Sequence, residues 1–304
     1  MSVAPSGEQI EIRAGEQRAT VVEVGGGIRA YGVGERPVLD PYPEHAMCDG
    51  AHGTPLIPWP NRLADGAYRF NGVDHQVAID EVDKHNAIHG LLRWRAWRVL
   101  DRGDDHVVMG SRLYPMSGYP FALDVRVGYV LGDDGLVVTT TATNIGAQDC
   151  PYACGQHPYL SPGEGLVDEA ELTLDAATWI DTANPRQLPE GTAPVDGSSL
   201  DFRTAKKIGT LEIDFPFTDL ARDPDGRAWT RLTGTDERTA ELWVDRSYPI
   251  IEIFTGDTLA PDRARRGLGC EPMSAPPDAF ASGDGLLRLA PGESSTHTWG
   301  ARLR

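Results

Sequence analysis

Imidazole is the side chain that gives or takes a proton near neutral pH, so eight histidines are the first place to look for chemistry in these 304 residues. His157 stands in Gly155-Gln156-His157-Pro158-Tyr159, directly after an apolar run and Pro151-Tyr152. His89 stands in Asn86-Ala87-Ile88-His89-Gly90. His85 lies four residues before His89 and could share its site, although Lys84-His85-Asn86 reads as a solvated turn. A proline follows His157 and another follows Glu271. Each biases the preceding residue towards extended φ/ψ and so limits where that side chain can point.

Other chemistries fit less well. Cys150, Cys154 and His157 bring three possible metal ligands within eight residues. Structural zinc wants a second ligand pair elsewhere, and Cys270 alone does not supply one. Even spacing instead puts Cys150 and Cys154 on one face of a strand as small core residues, so no metal site is expected. No Gly-x-Ser-x-Gly elbow is present for a serine nucleophile. Neither is a P-loop or a dinucleotide fingerprint; Gly25-Gly26-Gly27 has the wrong spacing and suits a hairpin turn.

The elements that must position these residues read as strands. Asn71-Gly72 between Tyr68-Arg69-Phe70 and a polar–apolar alternation predicts a hairpin with both central residues at positive φ. Gly132-Asp133-Asp134-Gly135 separates two runs rich in β-branched residues and predicts another. Further hairpins are expected at VVEVGGGIRAYGV, FTDLARDPDGRAWTRL and AELWVDRSYPIIEIFTGD, and a Pro-Gly turn between two runs in LLRLAPGESSTHTWGARL. Only a short piece around 261–267 could be helical. Glycines (34) and prolines (23) are spread throughout rather than pooled in a linker. One all-β antiparallel sandwich domain over 1–304 follows, with 1–8 expected to be a flexible tail.

A formal charge of −17 disfavours nucleic acid and anionic membranes as partners. The start of the chain has acids where a signal peptide needs an apolar run, no stretch reaches membrane-spanning length, and four cysteines do not make a disulfide scaffold. A cytoplasmic protein, monomeric or homodimeric, is expected.

Six motifs in order give the chain a resemblance to the aldose 1-epimerase (galactose mutarotase) family, from about Val21 to Trp299. They are Pro58-Trp59-Pro60-Asn61-Arg62 with Gly66-x-Tyr68-x-Phe70, then Ile88-His89-Gly90, then Gly155-Gln156-His157-Pro158-Tyr159. Ile213-Asp214-Phe215-Pro216-Phe217, Phe254-Thr255-Gly256 and Cys270-Glu271-Pro272-Met273 through Phe280 follow, ending in Leu289-x-Pro291-Gly292-Glu293. The resemblance implies a large galactose mutarotase-like supersandwich with a monosaccharide bound on one concave face. It implies His157 as general acid and Glu271 as general base, with Arg62, His89 and Asp214 on the sugar hydroxyls. Trp59, Tyr159 and Phe280 are candidate platforms for the apolar face of the ring. Two departures bear on hydroxyl preference: Glu252 stands where the family often has glutamine, and Phe215 where histidine commonly follows the aspartate. Asp219 is an alternative to Asp214.

The implied reaction opens a hemiacetal and closes it on the other face, which needs one base and one acid and no cofactor. A neutral hexose is the expected substrate. An anionic hexose (a 6-phosphate or a sulfonated sugar) is the alternative, suggested by Arg263-x-Arg265-Arg266 five residues before Glu271. A non-catalytic sugar-binding or sensing protein on the same fold is the other.

Overall fold

The computed structural model describes residues 3–304. It consists of two large antiparallel sheets facing each other across a shared core. The path of the larger sheet runs from Gln9–Ala14 through Gln17–Val22, Ile28–Val33, Arg36–Leu39 and Tyr159–Leu160. It continues through Leu268–Met273, Ile250–Phe254, Asp214–Leu220 and Ala176–Asp181 to Gly191–Pro194. The second sheet is centred on Leu123–Gly132, Gly135–Asn144, Ser294–Leu303 and Thr239–Val244. Leu123, Val125, Val127, Tyr129 and Leu131 alternate into the core while their neighbours face outward, the period-2 pattern of a sheet with one wet face.

Two adjacent strands break that pattern. Every residue of Ile250–Phe254 and of Leu268–Met273 is buried. Ile251, Ile253, Leu268 and Cys270 point into the core, and the opposite face carries Glu252, Phe254 and Glu271. That second face is roofed by the segment 50–93, which includes a small two-stranded sheet of Arg62–Ala64 and Asn86–Ile88. Carboxylates therefore sit deep in a sheet centre, on the side away from the main core.

Several sequence expectations are corrected by the connections. Asn71 (φ 49°) and Gly72 (φ 79°) form the expected turn, and Leu123–Gly132 pairs with Gly135–Asn144 as expected. Gln17–Val22 pairs with Ile28–Val33. By contrast, Asp214–Leu220 and Ala228–Thr233 lie in different sheets, as do Thr239–Val244 and Ile250–Phe254. Leu287–Leu289 pairs with Cys150–Tyr152 rather than with Ser294–Leu303. Turn chemistry marks a chain reversal, but not whether the next strand returns to the same sheet. Residues 261–267 form turns, and Ala279–Ser282 is the α-helix among the described residues. The tail expected over 1–8 lies partly outside the described residues. Within it, Val24 N–H donates to Ser6 O (3.0 Å) and Glu23 N–H to Glu8 O (3.0 Å), so 6–8 are fastened to the neighbouring chain.

Candidate active site

Glu271 is placed by strand pairing: it lies directly across from Glu252, which in turn lies across from Pro216 in the strand that begins with Asp214. His157 follows Gly155–Gln156, the short strand pairing with Met273 and with Leu56. Gln156 clamps this turn from below. Its amide nitrogen donates to Gly53 O (3.0 Å) and to the Tyr129 hydroxyl (3.1 Å), and its oxygen accepts from Trp299 Nε1 (3.1 Å). The result is a His157 Nε2 to Glu271 Oε1 distance of 3.0 Å, with both side chains buried. His157 Nδ1 and Glu271 Oε2 have no hydrogen-bond partner. Buried polar atoms left unpaired cost about 1–3 kcal/mol each, and such atoms call for an explanation in function.

The walls of the pair are aromatic and basic. Tyr159 stacks on His157 (4.9 Å between centroids, 16° between planes) and is backed by His52 (3.8 Å, 4°). Its hydroxyl donates to Gly50 O at 2.9 Å. Stacked with both imidazoles, Tyr159 supports His157 while also lining the cavity. His89 meets His157 edge-on at 5.3 Å. Asn61 N–H donates to His89 Nδ1 (3.2 Å) while His89 N–H donates to Asn61 O (2.9 Å). This lock holds both residues at positive φ (62° and 51°). Gly90 completes the turn at φ 72°, where a Cβ would lie 2.1 Å from Ile57 O. Burial, then the charges of His157, Arg93 and Arg62, hold the His89 pKa well below its ordinary value. The neutral ring with Nδ1 accepting carries its proton on Nε2.

His89, His157 and Glu271 offer ligand atoms all within 4.8 Å of one another, close enough to surround a cation. The His89 tautomer opposes that use, because its free nitrogen presents a proton rather than a lone pair.

Arg62 grips Glu81 in a fork, Nε to both carboxylate oxygens (3.1 and 3.0 Å) and Nη2 to Oε1 (3.0 Å). Burial works against its charge, but Asp214 and Glu81 outweigh burial and raise its pKa. Asp214 lines the cavity and accepts from Gln187 Nε2. Asp219 is exposed and does not line it. Glu252 lies beneath the cavity, 1% exposed, accepting from Asn61 Nδ2 (3.2 Å), with the Asp214 carboxyl near it. Burial, then the Asp214 and Glu271 charges, push its pKa well above the usual carboxylate range. Two like charges directly opposite on neighbouring strands repel, which favours the protonated form of Glu252.

The cavity enclosed by these groups has a volume of about 220 Å³. It brings together His157, Glu271, His89, Arg62, Asp214 and Tyr159 from the sequence-derived set, while Glu252 underlies it. Trp59 is elsewhere: 2% exposed, it packs on Phe280 at 5.4 Å within the core. Trp59 and Phe280 are core residues and not platforms for a ring; Phe254 lines the cavity instead. His85 is exposed and paired with Asp65 at 2.9 Å, outside the site. All four cysteines are buried free thiols.

Lys84, Arg93, Glu81 and Phe254 also line the cavity and were not identified from sequence. Lys84 belongs to the segment read as a solvated turn, and Arg93 to a Leu-Leu-Arg-Trp-Arg run with no motif. Both are paired, Lys84 with Glu81 (3.2 Å) and Arg93 with Asp80 (2.8 Å). The arginines suggested for an anionic sugar have other partners. Arg263 pairs with Asp40 (2.8 Å). Arg265 pairs with Asp168 (2.7 Å) and with Asp257, and donates to Gly209 O (2.8 Å). Arg266 is exposed, and none of the three lines the cavity.

Comparison with known proteins agrees with the fold. An uncharacterised Escherichia coli protein, YihR, is 35% identical over 292 residues, covering 95% of this chain and 91% of its own. Human galactose mutarotase is 30% identical over 167 residues, covering 51% of this chain and 46% of its own. Among solved structures, a GalM/aldose epimerase homologue from C. elegans superposes with a TM-score of 0.86 at 18% identity, covering 98% of each chain. A galactose mutarotase-like protein from Clostridium acetobutylicum also reaches 0.86, at 17% identity, covering 100% of this chain and 97% of that one. The family model for aldose 1-epimerase matches residues 8–301, and the chain belongs to that family of sugar isomerases.

Proposed function

We propose that the protein is a mutarotase, interconverting the α and β anomers of a free, neutral aldohexose, with Glu271 as base and His157 as acid. The observation that carries this reading is the 3.0 Å separation of His157 Nε2 and Glu271 Oε1. The two oxygens that exchange protons in anomerisation, the C1 hydroxyl and the ring oxygen, are bonded to the same carbon. Acid and base must therefore lie side by side. Glycoside hydrolysis asks for something else, two carboxyl groups about 5–9.5 Å apart across a bond.

In the forward step Glu271 removes the C1 hydroxyl proton as the C1–O5 bond breaks, and His157 delivers a proton to O5. The open-chain aldehyde turns about C1–C2. Reclosure runs the same transfers backwards: O5 attacks the other face, His157 recovers its proton, and Glu271 returns one to O1. The sugar replaces the single bond between His157 and Glu271 with two charge-assisted ones. His89 presents an Nε2–H donor, Arg62 a preoriented guanidinium and Asp214 an acceptor for hydroxyls. Pairing of Lys84 and Arg93 with carboxylates, together with the net charge of −17, favours a neutral sugar over an anionic one. The test is polarimetry of freshly dissolved glucose, galactose, glucose 6-phosphate and a sulfonated hexose. Faster loss of optical rotation with the neutral sugars is expected. No acceleration with any aldose would leave only a sugar-binding role.

A further inference from the structure

We propose that His52 is a positioning residue for the reaction, stacked behind Tyr159 so that the His157 imidazole is held in the plane from which it protonates the ring oxygen. This rests on the mutarotase reading above. An imidazole N–H lies in the plane of its ring, and its hydrogen bond weakens steeply away from linearity. Rotation of the His157 ring therefore decides whether the proton on Nε2 points at O5. The usual device for orienting a histidine is a hydrogen bond at its second nitrogen. His157 lacks it, because Nδ1 is buried without a partner. Its Nε2 contact is with Glu271, and in the reaction the sugar replaces that contact. Packing must set the plane.

The packing is a stack of three rings. Tyr159 lies 4.9 Å from His157 at 16°, and 3.8 Å from His52 at 4°. Two imidazoles so near one phenol ring cannot share a single face of it without overlapping, so the order is His52, Tyr159, His157. A Tyr159 ring pressed from behind cannot tilt away from His157. Without that pressure only the hydroxyl bond to Gly50 O (2.9 Å) restrains its outer end.

His52 is itself held. It is 3% exposed, and its Nε2 lies 3.3 Å from Asp40 Oδ2, which accepts from Arg263 Nη2 at 2.8 Å. Tyr42 meets the imidazole edge-on at 5.9 Å. The backbone closes the same unit: Gly53 N–H donates to His157 O (2.8 Å) and Asp40 N–H to Tyr159 O (2.8 Å). Gly267 permits this approach, since a Cβ there would lie 2.7 Å from Asp40 Cβ and 3.0 Å from Tyr159 Cβ. Arg263, which has no place in the cavity, thus anchors the carboxylate beside the stack. Burial, with the charges of Arg263 and His157, outweighs Asp40 and lowers the His52 pKa. The outer ring is accordingly neutral and does not repel a protonated His157.

The test compares glucose mutarotation by the wild type, His52→Leu, His52→Gln and His52→Phe, with folding checked by circular dichroism. Leucine and glutamine remove the flat face, one as an apolar and one as a polar side chain, whereas phenylalanine restores it without the nitrogens. His52→Leu and His52→Gln should lower kcat by about tenfold, the cost of a misaimed proton donor, and leave KM within about twofold because Arg62, His89 and Asp214 are untouched. His52→Phe should recover most of the loss. Wild-type kcat in a folded leucine or glutamine variant would overturn the proposal, as would a loss that His52→Phe shares in full. Failure of both to fold while His52→Phe folds would make the role one of stability and overturn it as well. Proton NMR gives a reading apart from activity. The ring current of a stacked Tyr159 should move the His157 Cε1–H resonance, assigned by its loss in His157→Asn, upfield. That shift should shrink in His52→Leu and His52→Gln and persist in His52→Phe; a resonance unmoved in all three would overturn the proposal. Should the wild type not epimerise glucose, the mutarotase reading fails, and the resonance alone decides whether His52 positions His157.

Discussion

Replacing Glu252 by Gln should make the protein more stable than the wild type near neutral pH, by an amount that grows with pH. Glu252 is 1% exposed, close to Asp214 and facing Glu271 across the strand pair. Its pKa is pushed up by burial and by those two carboxylates, so the native state keeps a proton that the unfolded chain releases. A group raised in this way contributes its full stability below the ordinary carboxyl range and loses it as pH rises, until the native group itself ionises. Within that window the slope is one proton, about 1.4 kcal/mol per pH unit. Glutamine is the same shape, can donate to Asp214 as the acid does, and can accept from Asn61, but carries no proton to lose. From pH 5.5 to 7.5 the wild type should therefore fall progressively behind Glu252→Gln. Urea unfolding of both proteins across that range measures the difference, and mutarotation by the variant should stay within a few-fold of wild type. A constant stability difference between the two curves would mean that the Asp214–Glu252 pair holds no extra proton, and the electrostatic account of the site would be refuted.

Two further outcomes follow from side-chain geometry. Arg62→Lys keeps the charge but loses the fork on Glu81, and should lower kcat/KM roughly tenfold or more, mainly through KM, by steady-state polarimetry. Arg265→Ala removes a guanidinium held by Asp168, Asp257 and Gly209 O. It should cost about 2 kcal/mol of stability in denaturant titration while leaving the preference between neutral and anionic sugars unchanged; a selective change for anionic sugars would return Arg265 to substrate recognition.

Legibility of the sequence varied with the kind of physics involved. Local backbone demands were readable: Asn71-Gly72 needed positive φ at both residues, and the two-residue turn at Asp133-Asp134 joined two β-branched runs. The order of motifs led to His157 and Glu271 because both lie on or beside the short and central strands that the family resemblance covers. Sheet membership was not readable. The turns at Asp223–Gly226 and Asp245–Tyr248 carry the chain from one sheet to the other, and nothing in Pro-Asp-Gly or Ser-Tyr-Pro chemistry distinguishes a corner from a hairpin. Trp59 lay beside Arg62 in sequence, but its ring turned into the core against Phe280. Lys84, Arg93 and Gln187 reach the site from separate loops, through a contact 103 residues apart in sequence for Lys84 and Gln187, and no local pattern encodes such a meeting. The arginines at 263 and 265 were legible as charges but not as partners of Asp40, Asp168 and Asp257.

The most direct test of the central claim is the turnover number of Glu271→Gln and of His157→Asn on a neutral aldohexose, followed by polarimetry, with folding checked by circular dichroism. Each substitution keeps the shape and removes a proton transfer. Each should lower kcat by about 10²–10⁴-fold in a folded protein, with the double variant little worse than the worse single one, as for groups that act as a unit. A kcat within a few-fold of wild type in either variant would contradict the assignment of that residue, and in both would contradict the mechanism.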